Sequence, residues 1–379
     1  MFQRTEDQEA LAEAVRAFCE AELAPLARQD DEAEHFRKDL LREMGAQGFC
    51  GVTSPEAHGG LGLGYLDLSI VLEEIARVSA SYAVSVAVTG LPQVILRQFG
   101  TEAQQAEWLP GLATGELLGA FALSEADSGS DAASLRTTAE RRGEGYALQG
   151  SKFWTTHGGV ADLYVVMART GGEGARGISA FLVPGDAPGL TAGRKEEKMG
   201  LRASPTAEIV LDGVEVPESA RIGPEGAGFT VAMTALDSGR ITIGASAVGL
   251  SQAALDYAAA YATQRRQFDT PIIRFQGVGF LLADMAARTE AARLVVHKAA
   301  WLRDAGQPFS EVAAMAKLLS TDTAMAVTTD AVQVLGGYGY TREHPVERYM
   351  RDAKVMQIVE GTNQIQRLVI ARHLQRAHE

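Results

Sequence analysis

The sequence predicts an α+β fold with an N-terminal helical domain, a middle β-barrel-like domain and a C-terminal four-helix bundle. Two observations predict this order. Apolar residues recur at helical spacing in the first and last parts of the chain, whereas the middle part contains short β-type runs separated by Gly, Asp and Pro. The length of 379 residues also suits two or three domains. We place the domains at residues 1–117, 118–225 and 226–379.

The N-terminal domain is predicted from helix start and stop signals. Thr5 and Gln8 have the spacing of a capping box, and apolar residues follow at helical intervals. One long apolar-periodic pattern covers residues 66–99. Another helix begins at Thr101 and is expected to end at Pro110–Gly111.

The middle domain is predicted from four short runs, which are YALQGSKFW, LYVVMAR, ISAFLVP and AEIVLDGVEVP. Each is rich in β-branched or aromatic residues and is bounded by turn residues, so we expect a compact barrel or sandwich. After GPEGAGF the pattern becomes helical again. Helices are expected near residues 229–263, 275–305, 309–335 and 363–376, and four such helices with short connections suggest a bundle.

Composition excludes several classes of function. The net charge of −13 argues against nucleic acid as the main partner, because nucleic-acid binding needs a basic surface. The most apolar stretch, YAVSVAVTGLPQVIL, is too short for a membrane span, and the acidic N-terminus lacks the apolar segment of a signal peptide. Cys19 and Cys50 are expected to be reduced thiols of a cytoplasmic protein. The seven scattered histidines predict no protein-ligated metal.

Two stretches in the middle of the chain are candidates for ligand binding. FALSEADSGSDAAS, residues 121–134, offers hydroxyls, backbone N–H groups and small side chains to a flat or phosphorylated ligand. An ordinary Ser/Gly/Asp turn explains it equally well. KFWTTHGG, residues 152–159, places an aromatic residue before two threonines, which suits contact with a ring system. A strand with a core Trp is the simpler alternative.

Three further stretches lie in the C-terminal part. RRQFDTPIIRFQ, residues 265–276, could bind a pyrophosphate or be a solvated helix end. QVLGGYGY, residues 333–340, permits a close backbone approach or forms a helix C-cap and turn. In QIVEGTNQIQR, residues 357–367, Glu360 is either a functional acid or a solvated charge before a helix capped by Thr362 or Asn363.

Together these stretches resemble the acyl-CoA dehydrogenase family over nearly the whole chain. ALSEADSGSDAAS resembles the first family signature and QVLGGYGYTREHPVERYMRD the second. EGTNQIQR resembles the loop that carries the catalytic glutamate. The three long matches occur in the family's order, which makes them far more specific than a lone glycine motif.

The resemblance implies FAD bound without a Rossmann fold, between the β-domain and the bundle and partly against a neighbouring subunit of a homotetramer. It implies α,β-dehydrogenation of a short- or medium-chain acyl-CoA to the trans-2-enoyl-CoA, as in fatty acid β-oxidation. Glu360 would be the base that removes the α-proton, and flavin N5 would accept the hydride. An electron-transferring flavoprotein would accept the electrons.

The resemblance also implies individual contacts. FAD would be bound by Phe121, Leu123, Ser124, Ser130, Trp154, Thr156, Arg265, Phe268, Gln276, Gln333, Gly337, Thr362 and Gln364. Of these, the residues in the 265–276 stretch would contact the FAD of the adjacent subunit. The acyl-CoA would be contacted by Ser130, Asp237, Arg240 and Gly361.

Some branches of the family place the base on a bundle helix, where this chain has Gly239. Glycine cannot be a base, so Glu360 is the matching acid. Val359 stands where many members have Tyr, which reshapes the pocket and leaves the acyl length open. The alternatives are an oxidase-type relative that uses oxygen and a non-catalytic protein that binds flavin or acyl-CoA.

Overall fold

Helices, strands and helices follow one another along the chain, so the predicted α+β order is confirmed. The structure is a computed structural model that describes residues 3–379. Its N-terminal helices are α1 (Glu6–Phe18), α2 (Ala27–Ala33), α3 (Lys38–Ala46), α4 (Tyr65–Val78), α5 (Ala80–Phe99) and α6 (Glu102–Ala113). The capping box at the start of α1 forms as predicted, because the Thr5 side chain accepts from the Gln8 N–H at 3.2 Å.

Two boundaries in this part differ from the prediction. The pattern over residues 66–99 is two helices, because Ser79 adopts an extended conformation (φ −149°, ψ 109°) between α4 and α5. The helix α6 does not end at Pro110. Proline removes a donor but keeps its acceptor, and the Thr114 N–H donates to Pro110 O at 3.0 Å, so the helix continues to Ala113.

The middle part forms one mixed sheet that contains the four predicted runs. Its strands are β1 (Gly119–Ala122), β2 (Thr138–Arg142), β3 (Gly145–Thr156), β4 (Leu163–Arg169), β5 (Ile178–Pro184), β6 (Leu190–Lys195), β7 (Thr206–Pro217) and β8 (Arg221–Ile222). The hydrogen-bonded order is β6-β7-β3-β2-β4-β5-β8, and β1 pairs in parallel with β4. One face of the sheet encloses its own apolar core, and the other face of β4 and β5 packs on helices.

The C-terminal part contains the helices α7 (Gly228–Gln264), α8 (Gln276–Asp304), α9 (Ser310–Leu335), α10 (Val346–Met356) and α11 (Asn363–His378). The four predicted helices are present, and α10 is an addition. This short helix buries Tyr349, Ala353 and Met356 on one face and carries charged residues on the other. Its 11 residues are too few for apolar periodicity to distinguish a helix from a loop.

The N-terminal helices and the bundle share an apolar core, in which α4 and α5 pack against α7, α8 and α9. The sheet packs on α5 and on the first turns of α7. All three parts therefore meet around the first half of α7. Within residues 3–379, no helix combines the length and the apolar character that a membrane span requires.

Candidate active site

Glu360 lies in the tight turn between α10 and α11. Its backbone and that of Gly361 are both left-handed, with φ values of 52° and 89°. Such a conformation is uncommon for a residue with a side chain and needs support from its surroundings. Support comes from the Gln366 amide, which donates to Gly361 O at 2.8 Å, and from Thr362, which caps α11 by accepting from the Ile365 N–H at 3.3 Å.

The Glu360 carboxylate points into the protein. Its Oε2 is buried and has no hydrogen-bond partner among the described residues. Burial raises the pKa of Glu360 to about 7, against the opposing charges of Lys317 and Arg240. The alternative of a solvated charge before a helix is therefore wrong for Glu360, although Thr362 does cap the helix.

Gly239 on α7 makes room for this carboxylate. A Cβ built on Gly239 would overlap Glu360 Oε2, so any larger residue would displace the acid. The position where the resemblance places the base of some other family branches thus lies against the Glu360 carboxylate. The neighbouring Arg240 is buried and forms an ion pair with Asp237, which holds both side chains on the same segment of α7.

A cavity of about 20 Å³ lies between α5 and α7. Helix α5 contributes Val86, Gly90 and Val94, and α7 contributes Gly239 and Thr242. Gly239 lines this cavity and also lies against the Glu360 carboxylate, so it is the residue that relates the two. No lining side chain among the described residues carries a charge, and a Cβ at Gly90 would meet no atom within 4 Å.

The segment after β1 lies against the same part of α7. Phe121 and Leu123 belong to the apolar cluster that includes Val231 and Ala235 of α7. The buried Lys152 side chain holds this segment in place, because its Nζ donates to Leu123 O at 3.0 Å and to Glu125 Oε1 at 2.7 Å. Ser124 is partly buried and Ser130 is exposed in the turn that follows.

The end of β3 presents an exposed aromatic ring. Trp154 has a left-handed backbone (φ 58°) and is 63% exposed, so the alternative of a core Trp is wrong. Thr156, two residues later, is half-buried. The left-handed backbone places a large aromatic ring in solvent, close to the Thr156 hydroxyl. Such a surface suits contact with a planar ligand.

The remaining predicted contacts lie far from Glu360. Arg265 ends α7, 26 residues after Gly239, so at 1.5 Å per residue the two are roughly 40 Å apart. The Arg265 guanidinium lies over the Tyr338 ring at 5.5 Å, which brings residues 265–276 beside the turn at 336–340. This second group comprises Arg265, Phe268, Gln276, Gln333 and Gly337, and all its members are exposed.

The structure therefore divides the predicted site residues into two groups. The first lies near the first half of α7, where Arg240 acts on the Glu360 carboxylate, Asp237 pairs with Arg240, and Phe121 and Leu123 pack on the helix. The second lies at the far end of the bundle. Gln364 is exposed on α11, and the Thr362 hydroxyl oxygen accepts the capping hydrogen bond from the Ile365 N–H.

Two features of the site were absent from the sequence prediction. Lys317 is fully buried on α9, and its Nζ donates to Gly361 O at 2.9 Å. A lone lysine in the apolar run VAAMAKLLS was the available signal. Gly90 opens the cavity, and nothing in its local sequence indicates that role.

Comparison with known proteins adds three matching family models. They are the acyl-CoA dehydrogenase N-terminal domain over residues 5–116, the middle domain over residues 120–214 and the C-terminal domain over residues 226–375. An acyl-CoA dehydrogenase of Bacillus subtilis is 46% identical, with 98% of each chain covered.

Two solved structures are similar over their whole length. Butyryl-CoA dehydrogenase of Megasphaera elsdenii is 42% identical with a TM-score of 0.97, covering 99% of this chain and 100% of that one. A chain from the structure of the electron transferring flavoprotein of Acidaminococcus fermentans is 44% identical with a TM-score of 0.98 and the same coverage.

Proposed function

This chain belongs to the acyl-CoA dehydrogenase family, and we propose that it introduces a trans double bond between C2 and C3 of a short-chain acyl-CoA, with Glu360 as the base. It is a flavoprotein oxidoreductase, and FAD is its cofactor. The observation that carries the proposal is the buried, unpartnered Glu360 carboxylate, which lies against Gly239 at the edge of an uncharged cavity.

Glu360 has the properties that removal of an α-proton requires. The C2–H bond of a thioester is a weak acid, so the base must be desolvated and must titrate near neutral pH. Burial raises the pKa of Glu360 to about 7, and no hydrogen bond occupies Oε2. The proton would move from C2 to this oxygen.

The backbone of the same residue supports a second role. Within the described residues the Glu360 N–H donates to no acceptor, although the neighbouring turn residues do. A free N–H is suited to the thioester oxygen, where negative charge develops as the proton leaves. We therefore assign to Glu360 both the carboxylate that accepts the proton and an N–H that stabilises the enolate-like charge.

The described residues fit FAD. Trp154 offers an exposed ring surface, and the Gly129 and Gly337 positions open onto space in which a Cβ would meet no atom within 4 Å. Ser124, Thr156 and the exposed Ser130 supply hydroxyl groups around that surface. When bound, FAD accepts the hydride that leaves C3.

The cavity favours a short, uncharged acyl group. A volume of about 20 Å³ is close to the space of one water molecule, so this cavity has no room for a long acyl chain. A distal carboxylate would need a cationic partner, and the cavity lining provides none in residues 3–379. A four-carbon acyl group fits both conditions.

A set of thioesters tests this assignment. The FAD-loaded protein is mixed anaerobically with butyryl-CoA, octanoyl-CoA and glutaryl-CoA, and bleaching of the oxidised flavin is followed. We expect butyryl-CoA to reduce the flavin fastest. No bleaching with any thioester would contradict catalysis. Faster bleaching with octanoyl-CoA would overturn the chain length, and hydrogen peroxide produced in air at the turnover rate would reassign the protein as an oxidase.

Glu360→Gln tests the base. The amide has nearly the same shape but cannot accept the proton, so the flavin-reduction rate with butyryl-CoA should fall at least ~100-fold while FAD and acyl-CoA still bind. Flavin absorbance and a butyryl-CoA binding titration are the controls for an intact site. Turnover close to that of the unmodified protein would exclude Glu360 as the base.

We further propose a homotetramer in the cytoplasm that passes its electrons to an electron-transferring flavoprotein. The two separate groups of predicted FAD contacts support assembly, because they lie at opposite ends of α7. The similarity to a chain from an electron transferring flavoprotein structure supports the electron partner. The free, buried thiols of Cys19 and Cys50 suit a reducing compartment.

A further inference from the structure

Lys317 is a buried cation whose hydrogen bonds all go to the turn that carries Glu360. Its side chain has 0% exposure, and its Nζ donates to Gly361 O and to Asn363 Oδ1, each at 2.9 Å. No carboxylate of the described residues lies within ion-pair distance of this ammonium. A lysine is rarely buried without a paired anion, because desolvation of its charge is costly.

Hydrogen bonding alone does not account for a lysine at this position. Gly361 O also accepts from the Gln366 amide at 2.8 Å, so it would keep a partner if the ammonium were absent. Asn363 Oδ1 lies 3.2 Å from the Thr321 hydroxyl, whose single proton is also within reach of Lys317 O at 2.7 Å. A neutral donor could satisfy these two acceptors, so they do not by themselves explain the buried charge.

Three other ionisable groups lie near the Lys317 ammonium, which are Glu360, Asp322 and Arg240. Asp322 lies one turn further along α9, where it accepts from the Asn363 amide at 2.7 Å, and Arg240 on α7 is neutralised locally by Asp237. Burial lowers the pKa of Lys317 to about 7, while Glu360 and Asp322 oppose this shift. In return Lys317 lowers the pKa of Glu360.

We propose that Lys317 is a positioning residue, whose ammonium anchors the left-handed turn at Glu360 and Gly361 and favours the ionised form of the Glu360 carboxylate without occupying its proton-accepting oxygen. The geometry separates these two tasks. The ammonium bonds the carbonyl of the next residue, Gly361, so Glu360 Oε2 stays free for C2. This inference rests on the proposed role of Glu360 as the base.

Lys317→Met tests the proposal, because methionine keeps the length and removes the charge. Flavin reduction by butyryl-CoA is measured from about pH 5.5 to about pH 9.5. We expect the acid limb of the profile to move up by about one pH unit, because an opposite charge no longer favours the carboxylate. The pH-independent maximum should fall roughly 10- to 100-fold as the turn loses its anchor.

Two matched variants separate charge from structure. Lys317→Arg retains the positive charge and should return the acid limb toward that of the unmodified protein. Lys298→Met makes the same substitution at an exposed position of α8 and should leave the profile unchanged. In the Glu360→Gln background, Lys317→Met should produce no further shift of the acid limb.

A readout independent of turnover completes the test. The difference in unfolding temperature between the unmodified protein and its Glu360→Gln variant, measured against pH, reports the carboxyl pKa. When both proteins also carry Lys317→Met, the inflection of this difference should move to higher pH. An unmoved acid limb together with an unmoved inflection would overturn the proposal. If Glu360→Gln itself stays active, the assignment of the base fails instead.

Discussion

At the scale of the residue, position 360 combines an unpartnered carboxylate, a left-handed backbone and a glycine neighbour on α7. Each feature alone has ordinary explanations, such as a helix cap or a crowded turn. Together they cost stability, because the backbone is strained and the acid is desolvated. Strained and desolvated groups of this kind cluster at functional sites, which supports the proposed role of Glu360.

The raised pKa of Glu360 predicts the pH dependence of activity. The proton acceptor must be ionised, so kcat/KM with butyryl-CoA should rise with pH and level off above about pH 7. A steady-state profile on the FAD-loaded protein checks this expectation. An activity that is already constant above about pH 5.5, as expected for a carboxyl group with the ordinary pKa of 4.5, would contradict it.

The same shift predicts how stability depends on pH. The pKa of Glu360 is about 7 in the folded state and near 4.5 in the unfolded state, so the folded state binds the proton more tightly. Ionisation of this group therefore lowers the free energy of unfolding as pH rises from 4.5 to about 7. Glu360→Gln should therefore be more stable than the unmodified protein by about 3 kcal/mol at pH 8, and near equal to it below pH 4.5. Denaturant unfolding at both pH values measures the difference.

At the scale of the element, helix α5 determines the size of the cavity through a glycine. Gly90→Ala should stabilise the helix by about 0.5–1 kcal/mol, since a Cβ there meets no atom within 4 Å. The same methyl group would fill part of the cavity. We expect turnover of hexanoyl-CoA to fall more than that of butyryl-CoA, with the shorter thioester as the internal control. Equal effects on both would exclude Gly90 from the acyl site.

Helix α11 begins at Asn363 and is capped by Thr362, whose contact with FAD stays a prediction. Thr362→Ala should lower the free energy of unfolding by about 1 kcal/mol, and Thr362→Ser should retain it. Urea unfolding of the two variants measures the cap. Loss of FAD affinity in Thr362→Ala but not in Thr362→Ser, with unchanged stability, would favour the predicted FAD contact.

At the scale of the whole molecule, α7 joins two groups of exposed or half-buried residues that one chain holds roughly 40 Å apart. A second copy of the chain is needed if both groups are to contact one FAD. Arg265→Ala should therefore weaken FAD retention and leave the fold of each protomer intact, because the side chain is exposed. Gel filtration with flavin absorbance measures retention, and circular dichroism checks the fold. Unchanged FAD affinity would remove Arg265 from the site.

Much of the fold followed from the sequence alone. Capping at Thr5, the four β-type runs and the long Ala-rich helices are local signals, and local hydrogen bonding and periodicity decide them. The three long family motifs identified the reaction class and selected Glu360. The domain limits near residues 117 and 225 and the individual FAD contacts stay predictions.

Only the tertiary structure decided which groups surround Glu360. Lys317 and Gly239 are 43 and 121 residues away along the chain, and Gly90 is farther still, so no local pattern relates them to the acid. Their roles come from packing, which buries a carboxylate and an ammonium in one place and leaves space for a few carbon atoms. Desolvation and cavity shape depend on everything that surrounds a site, and residues from three separate helices set them here.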